Sequence, residues 1–278
     1  MASPLRITSS KNPRLANAVK LRDSKHRKAQ GLFLIDGFKS IELAVQSGIV
    51  LREFFLDEEH PDTPDLLKCF SKQAGDSYVT SRLLMSKLTY GDQSHECVAV
   101  AESFDTSIDS LANRLEIKNT KRGRRSGLFL VIDRIEKPGN LGAILRTADA
   151  AGVEGVLLSD SICDVFNPNA IRSSLGAIFT LPIASSSLDK VAGWLQAQNI
   201  SIYTARVEGA HEYTRTVFAD RAALVVGNEA MGLGARWTDE SYQAVRIPMQ
   251  GMIDSLNASV STAVVLFEMV RQRTVYNA

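Results

Sequence analysis

The chain has 278 residues, 45% hydrophobic and 23% charged, with a net charge of +1, a balance that suits about two globular domains and excludes collagen-like and disordered proteins. No stretch reaches the roughly 20 unbroken apolar residues of a membrane span, and the basic N-terminal segment holds no apolar signal core. The three cysteines, Cys69, Cys97 and Cys163, lie far apart without a Cys-x-x-Cys, so a reducing cytoplasm is expected and a disulfide scaffold, a zinc site and a membrane are not.

Residues 1–30 carry eight Lys/Arg (Arg6, Lys11, Arg14, Lys20, Arg22, Lys25, Arg27, Lys28) against one acid, Asp23. They read as a basic arm. Such clustering is the footprint of a polyanion partner, although a merely solvated arm would look the same. After the arm, short apolar runs predict strands at 31–36, 51–56, 77–79 and 97–101. Helical spacing predicts helices at 37–46, 65–74 and 81–88. Alternating strands and helices imply an α/β domain over 1–104. Residues 105–126 form a seam: a short helix over 108–115, then an exposed linker with Lys118, Lys121, Arg122, Arg124 and Arg125.

The remaining segment, 127–278, has a clearer rhythm. Strands are predicted at 128–132, 155–158, 200–204, 223–226 and 244–247, and helices at 141–151, 169–174, 188–198 and 255–273. The strands are continuous apolar runs, as in a parallel sheet covered on both faces. No repeat or low-complexity tract interrupts them.

Ligands of such sheets bind beyond the C-terminal strand ends, and three of these ends run into polar, glycine-containing loops. The first is Pro138-Gly-Asn-Leu-Gly142, with Asn140 expected to cap a helix that carries Arg146. The second is Gly227-Asn-Glu229 followed by Gly232-Leu233, where a glycine would let a ligand touch main chain and an acid stands at the mouth of an apolar strand. The third is Ile247-Pro-Met249, Gly251 and Ser255-Leu-Asn257, with Ser255 expected to open a long helix. Alone, the first loop is equally a capped helix, the second is better read as an ordinary Gly-Asn turn, and N-capping explains Ser255 of the third but not Asn257, a poor helix former. No dinucleotide fingerprint, Walker A or Gly-x-Ser-x-Gly sequence is present. The four histidines are isolated and predict no metal site.

Together, in this order, the three loops resemble the signature motifs of the SpoU (TrmH-like) RNA ribose 2'-O-methyltransferases of the SPOUT superfamily. Asn12-Pro13, Leu21-Arg22 and Phe33-Leu-Ile-Asp-Gly37 resemble, more weakly, the small N-terminal substrate-binding domain of many members. Asp36, Lys137 and Ala230 depart from the family pattern. The resemblance implies a C-terminal parallel-sheet SPOUT domain with a deep trefoil knot, a small N-terminal α/β domain that is ribosomal-protein-L30e-like, and a homodimer. It implies S-adenosylmethionine as cofactor, held by Thr204, Gly227, Ile247, Met249, Leu256 and Asn257. It implies a structured RNA partner, ribosomal or transfer RNA with ribosomal RNA the more expected, methylated at a ribose 2'-hydroxyl. Asn140, Arg146, Glu229, Ser255 and Asn257 would form the catalytic set, and Arg22, Lys25, Arg27, Lys28 and Arg146 would grip RNA. Two other readings stand beside it. A catalytically inactive RNA-binding module is opposed by the intact set of catalytic residue types. A nucleotide-dependent oxidoreductase is opposed by the missing glycine fingerprint.

Overall fold

A computed structural model describes residues 4–70, 74–89, 96–122, 127–228, 231–252 and 255–275. The chain forms two compact units, Met1–Phe104 with Asp164–Thr180, and Asp105–Cys163 with Leu181–Ala278.

In the first unit the expected basic arm is folded. It forms β1 (Leu5–Ile7), α1 (Pro13–Lys20) and α2 (Ser24–Gln30). The capping chemistry accounts for both helices. The Asn12 side chain accepts from the Arg14 N–H with Pro13 opening the helix, and Asp23 accepts from the Lys25 N–H at 2.7 Å. Leu15, Ala18 and Leu21 are fully buried and anchor the pair. There follow β2 (Leu32–Asp36), α3 (Phe38–Gln46), β3 (Leu51–Asp57), α4 (Thr63–Phe70), β4 (Ala74–Thr80), α5 (Arg82–Met85) and β5 (Cys97–Glu102). The sheet order is β1-β4-β3-β5-β2, with β1, β4 and β3 parallel and β5 antiparallel to both its neighbours.

The second unit starts with α6 (Ile108–Arg122), β6 (Leu128–Asp133), α7 (Pro138–Ala150) and β7 (Gly155–Ser159). The chain then supplies α8 (Pro168–Ser174) and α9 (Ala177–Thr180) to the first unit, where α8 packs on β2 and α9 on α3. It continues through β8 (Ile183–Ser186), α10 (Leu188–Ala197), β9 (Ser201–Ala205), β10 (His211–Glu212), β11 (Ala222–Val226), β12 (Gln243–Arg246) and α11 (Ala258–Val275). These seven strands pair only in parallel, in the order β10-β12-β9-β11-β6-β7-β8. All of β6, β7 and β11 is buried, which is why each reads as an unbroken apolar run.

Three local expectations need correction. The seam is not a linker throughout: α6 runs to Arg122, and its Leu111 and Leu115 join Phe129, Val131 and Trp237 in the core of the second unit. Residues 123–126, with Arg124 and Arg125, lie outside the described residues. Asn140 does not cap α7; Lys137 holds the cap position, Pro138 starts the helix, and Asn140 sits in its first turn. Ser255 does not open α11. Asn257 does: its Oδ1 accepts from the Ser259 N–H at 2.9 Å and the Ser259 hydroxyl at 2.6 Å, and its carbonyl accepts from the Ser261 N–H.

Candidate active site

The C-terminal ends of β9, β11 and β12 and the approach to α11 enclose a cavity of about 200 Å³. Gly227, Ile247, Met249 and Leu256 of the expected cofactor set line it, with Ser255 of the expected catalytic set, while Asn257 is not in its wall; Val226, Val245 and Val265 supply apolar wall, and Arg206 and Arg246 also border it. Gly227 has no room for a side chain, because a Cβ there would stand 2.6 Å from the Gly232 carbonyl oxygen. The loop folds back so tightly that the Gly232 N–H donates to the Asn228 carbonyl at 2.9 Å. Glu229 and Ala230 lie outside the described residues.

This loop is tied to the end of β6 by residues that sequence reasoning missed. The Asp133 carboxylate, fully buried, accepts from the Gly234 N–H at 2.7 Å, the Ser159 hydroxyl at 2.9 Å and Arg134 Nε at 3.2 Å. Arg134 adopts a left-handed backbone (φ 50°). Its Nη2 donates to the Gly232 carbonyl at 3.2 Å, and its own carbonyl accepts from Asn228 Nδ2 at 3.1 Å. The available signal was an acid closing an otherwise apolar run, Leu128-Phe-Leu-Val-Ile-Asp133. A buried carboxylate with three donors is fully satisfied, so it fixes the first and second loops in one arrangement.

The first and third loops also meet directly. Asn257 Nδ2 donates to Asn140 Oδ1 at 3.3 Å, and α11 packs along α7. Asn257 thus caps α11 with its oxygen and reaches Asn140 with its nitrogen, beside Ser255 and Leu256 at the cavity wall. Arg146 is exposed on α7 and makes no hydrogen bond or ion pair among the described residues. Thr204 is not at the cavity wall. It is fully buried in β9 with its hydroxyl unpartnered, beside Val225 of β11 and Ala244 of β12, because it lies inside the strand rather than beyond its end.

The basic residues divide. Arg22, Lys25 and Lys28 are exposed. Arg27 is not available to RNA: it is 2% exposed, and its guanidinium pairs with Asp164 at 2.7 Å while donating to the Leu21 and Arg22 carbonyls. Burial inside the first unit makes it a structural cation. Among the described residues no group of three or more His, Cys, Asp or Glu is arranged to hold a metal, and no helix is long and apolar enough to cross a membrane.

Comparisons with known proteins agree on one family. Residues 127–267 match the SpoU rRNA Methylase family, and residues 12–99 match the MRM3-like substrate binding domain. The chain is 28% identical to the 23S rRNA (guanosine(2553)-2'-O)-methyltransferase RlmP of Bacillus subtilis, over 95% of this chain and 98% of that one. It is 30% identical to the 23S rRNA (uridine(2479)-2'-O)-methyltransferase of Streptomyces viridochromogenes, over 96% and 92%. Among solved structures, an RNA 2'-O ribose methyltransferase is 34% identical with a TM-score of 0.80, covering 97% of this chain and 100% of its own. The SpoU methyltransferase AviRb of Streptomyces viridochromogenes, in complex with AdoMet, is 28% identical with a TM-score of 0.82, over 95% and 99%.

Proposed function

Because the chain belongs to the SpoU rRNA methylase family, we propose that it methylates a ribose 2'-hydroxyl of ribosomal RNA, with S-adenosylmethionine as donor. The observation that carries this reading is the meeting of all three loops: Asn140 is joined to Asn257, whose chain neighbours Leu256 and Ala258 line one cavity with Gly227 and Ile247, and Arg134 ties the second loop to the start of the first. The cavity suits the cofactor. Main chain at Gly227 and Ile247 offers hydrogen bonds to adenosine, while Val226, Val245, Met249, Leu256 and Val265 offer apolar contact to its base and aliphatic parts.

S-adenosylmethionine supplies an already activated methyl group on sulfonium. The residues of the chain must then align the attacking hydroxyl and manage one proton. Alignment alone is worth roughly 7–11 kcal/mol of barrier. Asn140, held by Asn257, orients the ribose. Arg146 cannot serve as a base, since a guanidinium stays protonated. It clamps the neighbouring phosphate and stabilises the alkoxide developing on the 2'-oxygen. Glu229 accepts the proton or holds Arg146, and Ser255 completes the site from the third loop. The fixed loop arrangement around Asp133 keeps these groups in register.

The first domain, 1–104, grips RNA with Arg22, Lys25 and Lys28, and 127–278 carries the catalysis, with 105–126 between them. The enzyme works in the cytoplasm as a homodimer. Val260 and Phe267 of α11, seven residues apart on one helical face, are 47% and 46% exposed, an apolar stripe that a second copy would cover. A trefoil knot in the C-terminal segment is consistent with the strand order, in which β11 returns to lie between β6 and β9 after β8 has taken the far edge.

The test is methyl transfer from labelled S-adenosylmethionine to ribosomal RNA, followed by mapping 2'-O-methyl positions in RNA from cells with and without the protein. One position lost with the gene and restored by the purified protein is expected. Identical maps and no incorporation would overturn the reading.

A further inference from the structure

The first unit contains a cavity of about 680 Å³ that the reaction above does not use. The starts of β2, β3 and β4, the end of β5 and one side of α1 enclose it. Glu53 belongs to its wall and is 7% exposed. One carboxylate oxygen accepts from Arg14 Nη1 at 2.9 Å; the other is buried with no hydrogen-bond partner. Leaving a buried acceptor unmatched is unfavourable, and burial pushes the Glu53 carboxyl upward against the opposing pull of Arg14.

The backbone around Glu53 is shaped rather than regular. Arg52 is the extra residue of a bulge, since Leu51 pairs with Ala101 and Glu53 with Val100. Bulges re-aim side chains and gather beside functional sites. Gly75 lies against this bulge so closely that a Cβ would stand 2.7 Å from the Arg52 carbonyl oxygen. Around the cavity donors and acceptors are drawn together: Arg14 pairs with Glu53 and, at 3.9 Å, with Asp76, Arg52 pairs with Glu102, and Asn17 is joined to Gln30 at 3.0 Å. Such a lining suits a planar heterocycle with both kinds of edge better than a point charge. Among the RNA bases, guanine sets two N–H donors side by side, the complement of a carboxylate, and unstacked bases also lie flat on guanidinium planes.

We propose that this cavity, with Glu53 as the principal acceptor and Arg14, Arg52 and Asn17 around it, holds one unpaired guanine base of the RNA substrate. The proposal rests on the first unit being the RNA-binding one. It gives that unit a base-reading site in addition to its phosphate contacts, which carry no sequence information.

The test uses the full chain saturated with S-adenosylhomocysteine, titrated separately with guanosine, inosine and adenosine 5'-monophosphates and followed by backbone amide resonances. Guanosine monophosphate should shift Gly75, Asp76 and Ser103 and bind at least about tenfold tighter than adenosine monophosphate. Inosine monophosphate, lacking the 2-amino group, should fall between them. Glu53→Gln should abolish the preference; should that variant not fold, Asn17→Ala at the half-buried wall should weaken guanosine monophosphate binding severalfold. Equal binding of the three nucleotides, shifts confined to other residues, or an undiminished preference in Glu53→Gln would overturn the proposal. So would spermidine occupying these residues while guanosine monophosphate does not, which would make this an amine site. A full chain that binds ribosomal RNA but shows no guanine preference sinks this inference alone, whereas a chain that binds no RNA sinks the reading beneath it.

Discussion

Arg146 and Arg27 both sit on helices of an RNA-modifying enzyme, and their surroundings assign them opposite work. Arg146 is exposed and makes no ion pair among the described residues; Arg27 is enclosed with Asp164. Arg146→Ala should therefore lower methyl transfer by about 10²–10³-fold while cofactor affinity, measured by calorimetry, stays nearly constant. Near-normal turnover would remove Arg146 from the chemistry. Arg27→Ala should instead destabilise the fold by about 3 kcal/mol, because it removes the cation from a largely enclosed carboxylate, Asp164. Chemical denaturation measures this directly, and a change within experimental error would count against the structural role. Glu53 has a pH signature of its own. Its folded carboxyl is raised by burial, so its contribution to stability is fully present below the unfolded carboxyl range and is lost as pH rises through the folded value. Glu53→Gln should thus raise the melting temperature at pH 7 and lose that advantage toward pH 4. A variant less stable than the parent at pH 7 would show that the ionised side chain helps the fold.

At the scale of elements, α2 carries the buried cation Arg27 between the exposed Lys25 and Lys28, with Arg22 just before it. Its exposed neighbours Arg22, Lys25 and Lys28 are the ones to neutralise, leaving Arg27 intact. The triple variant should raise the RNA KM, leave kcat at saturation largely unchanged, and lower the slope of log K against log salt by about 0.7–0.9 for each phosphate no longer gripped. An unchanged salt slope would mean that these residues are merely solvated. That α2 is a helix at all was hidden in the sequence. Its seven residues are mostly polar, and α1 buries only Leu15 and Ala18, so periodicity had little to work on, although the caps Asn12 and Asp23 were readable. β6, β7 and β11 of the second unit were legible for the opposite reason, since each is buried along its whole length. β10, of two residues, is too short to stand out. Of the site, Gly227, Ile247, Met249, Ser255 and Leu256 were legible as loop residues after apolar runs. Asp133 and Arg134 were not, because their importance comes from hydrogen bonds that reach across roughly a hundred residues of chain.

For the whole molecule, the position of α6 decides where the chain can be divided. Its Leu111 and Leu115 complete the core of the second unit, so a fragment starting at residue 127 should aggregate or melt far below one starting at residue 105. Thermal melts of the two fragments compare them; equal stability would show that α6 is dispensable. The longer fragment should still bind S-adenosylmethionine and sediment as a dimer at micromolar concentration. A further consequence follows from the return of residues 164–180 to the first unit, where Ile171 and Phe179 are buried. The first 104 residues are not a cassette. A chimera that exchanges them for the N-terminal domain of a relative would leave those side chains facing a foreign core, and the graft would need the donor's matching stretch as well. Any change of RNA target that works through this unit must then be written in two separated parts of one gene, and recombination at a single crossover would tend to break it.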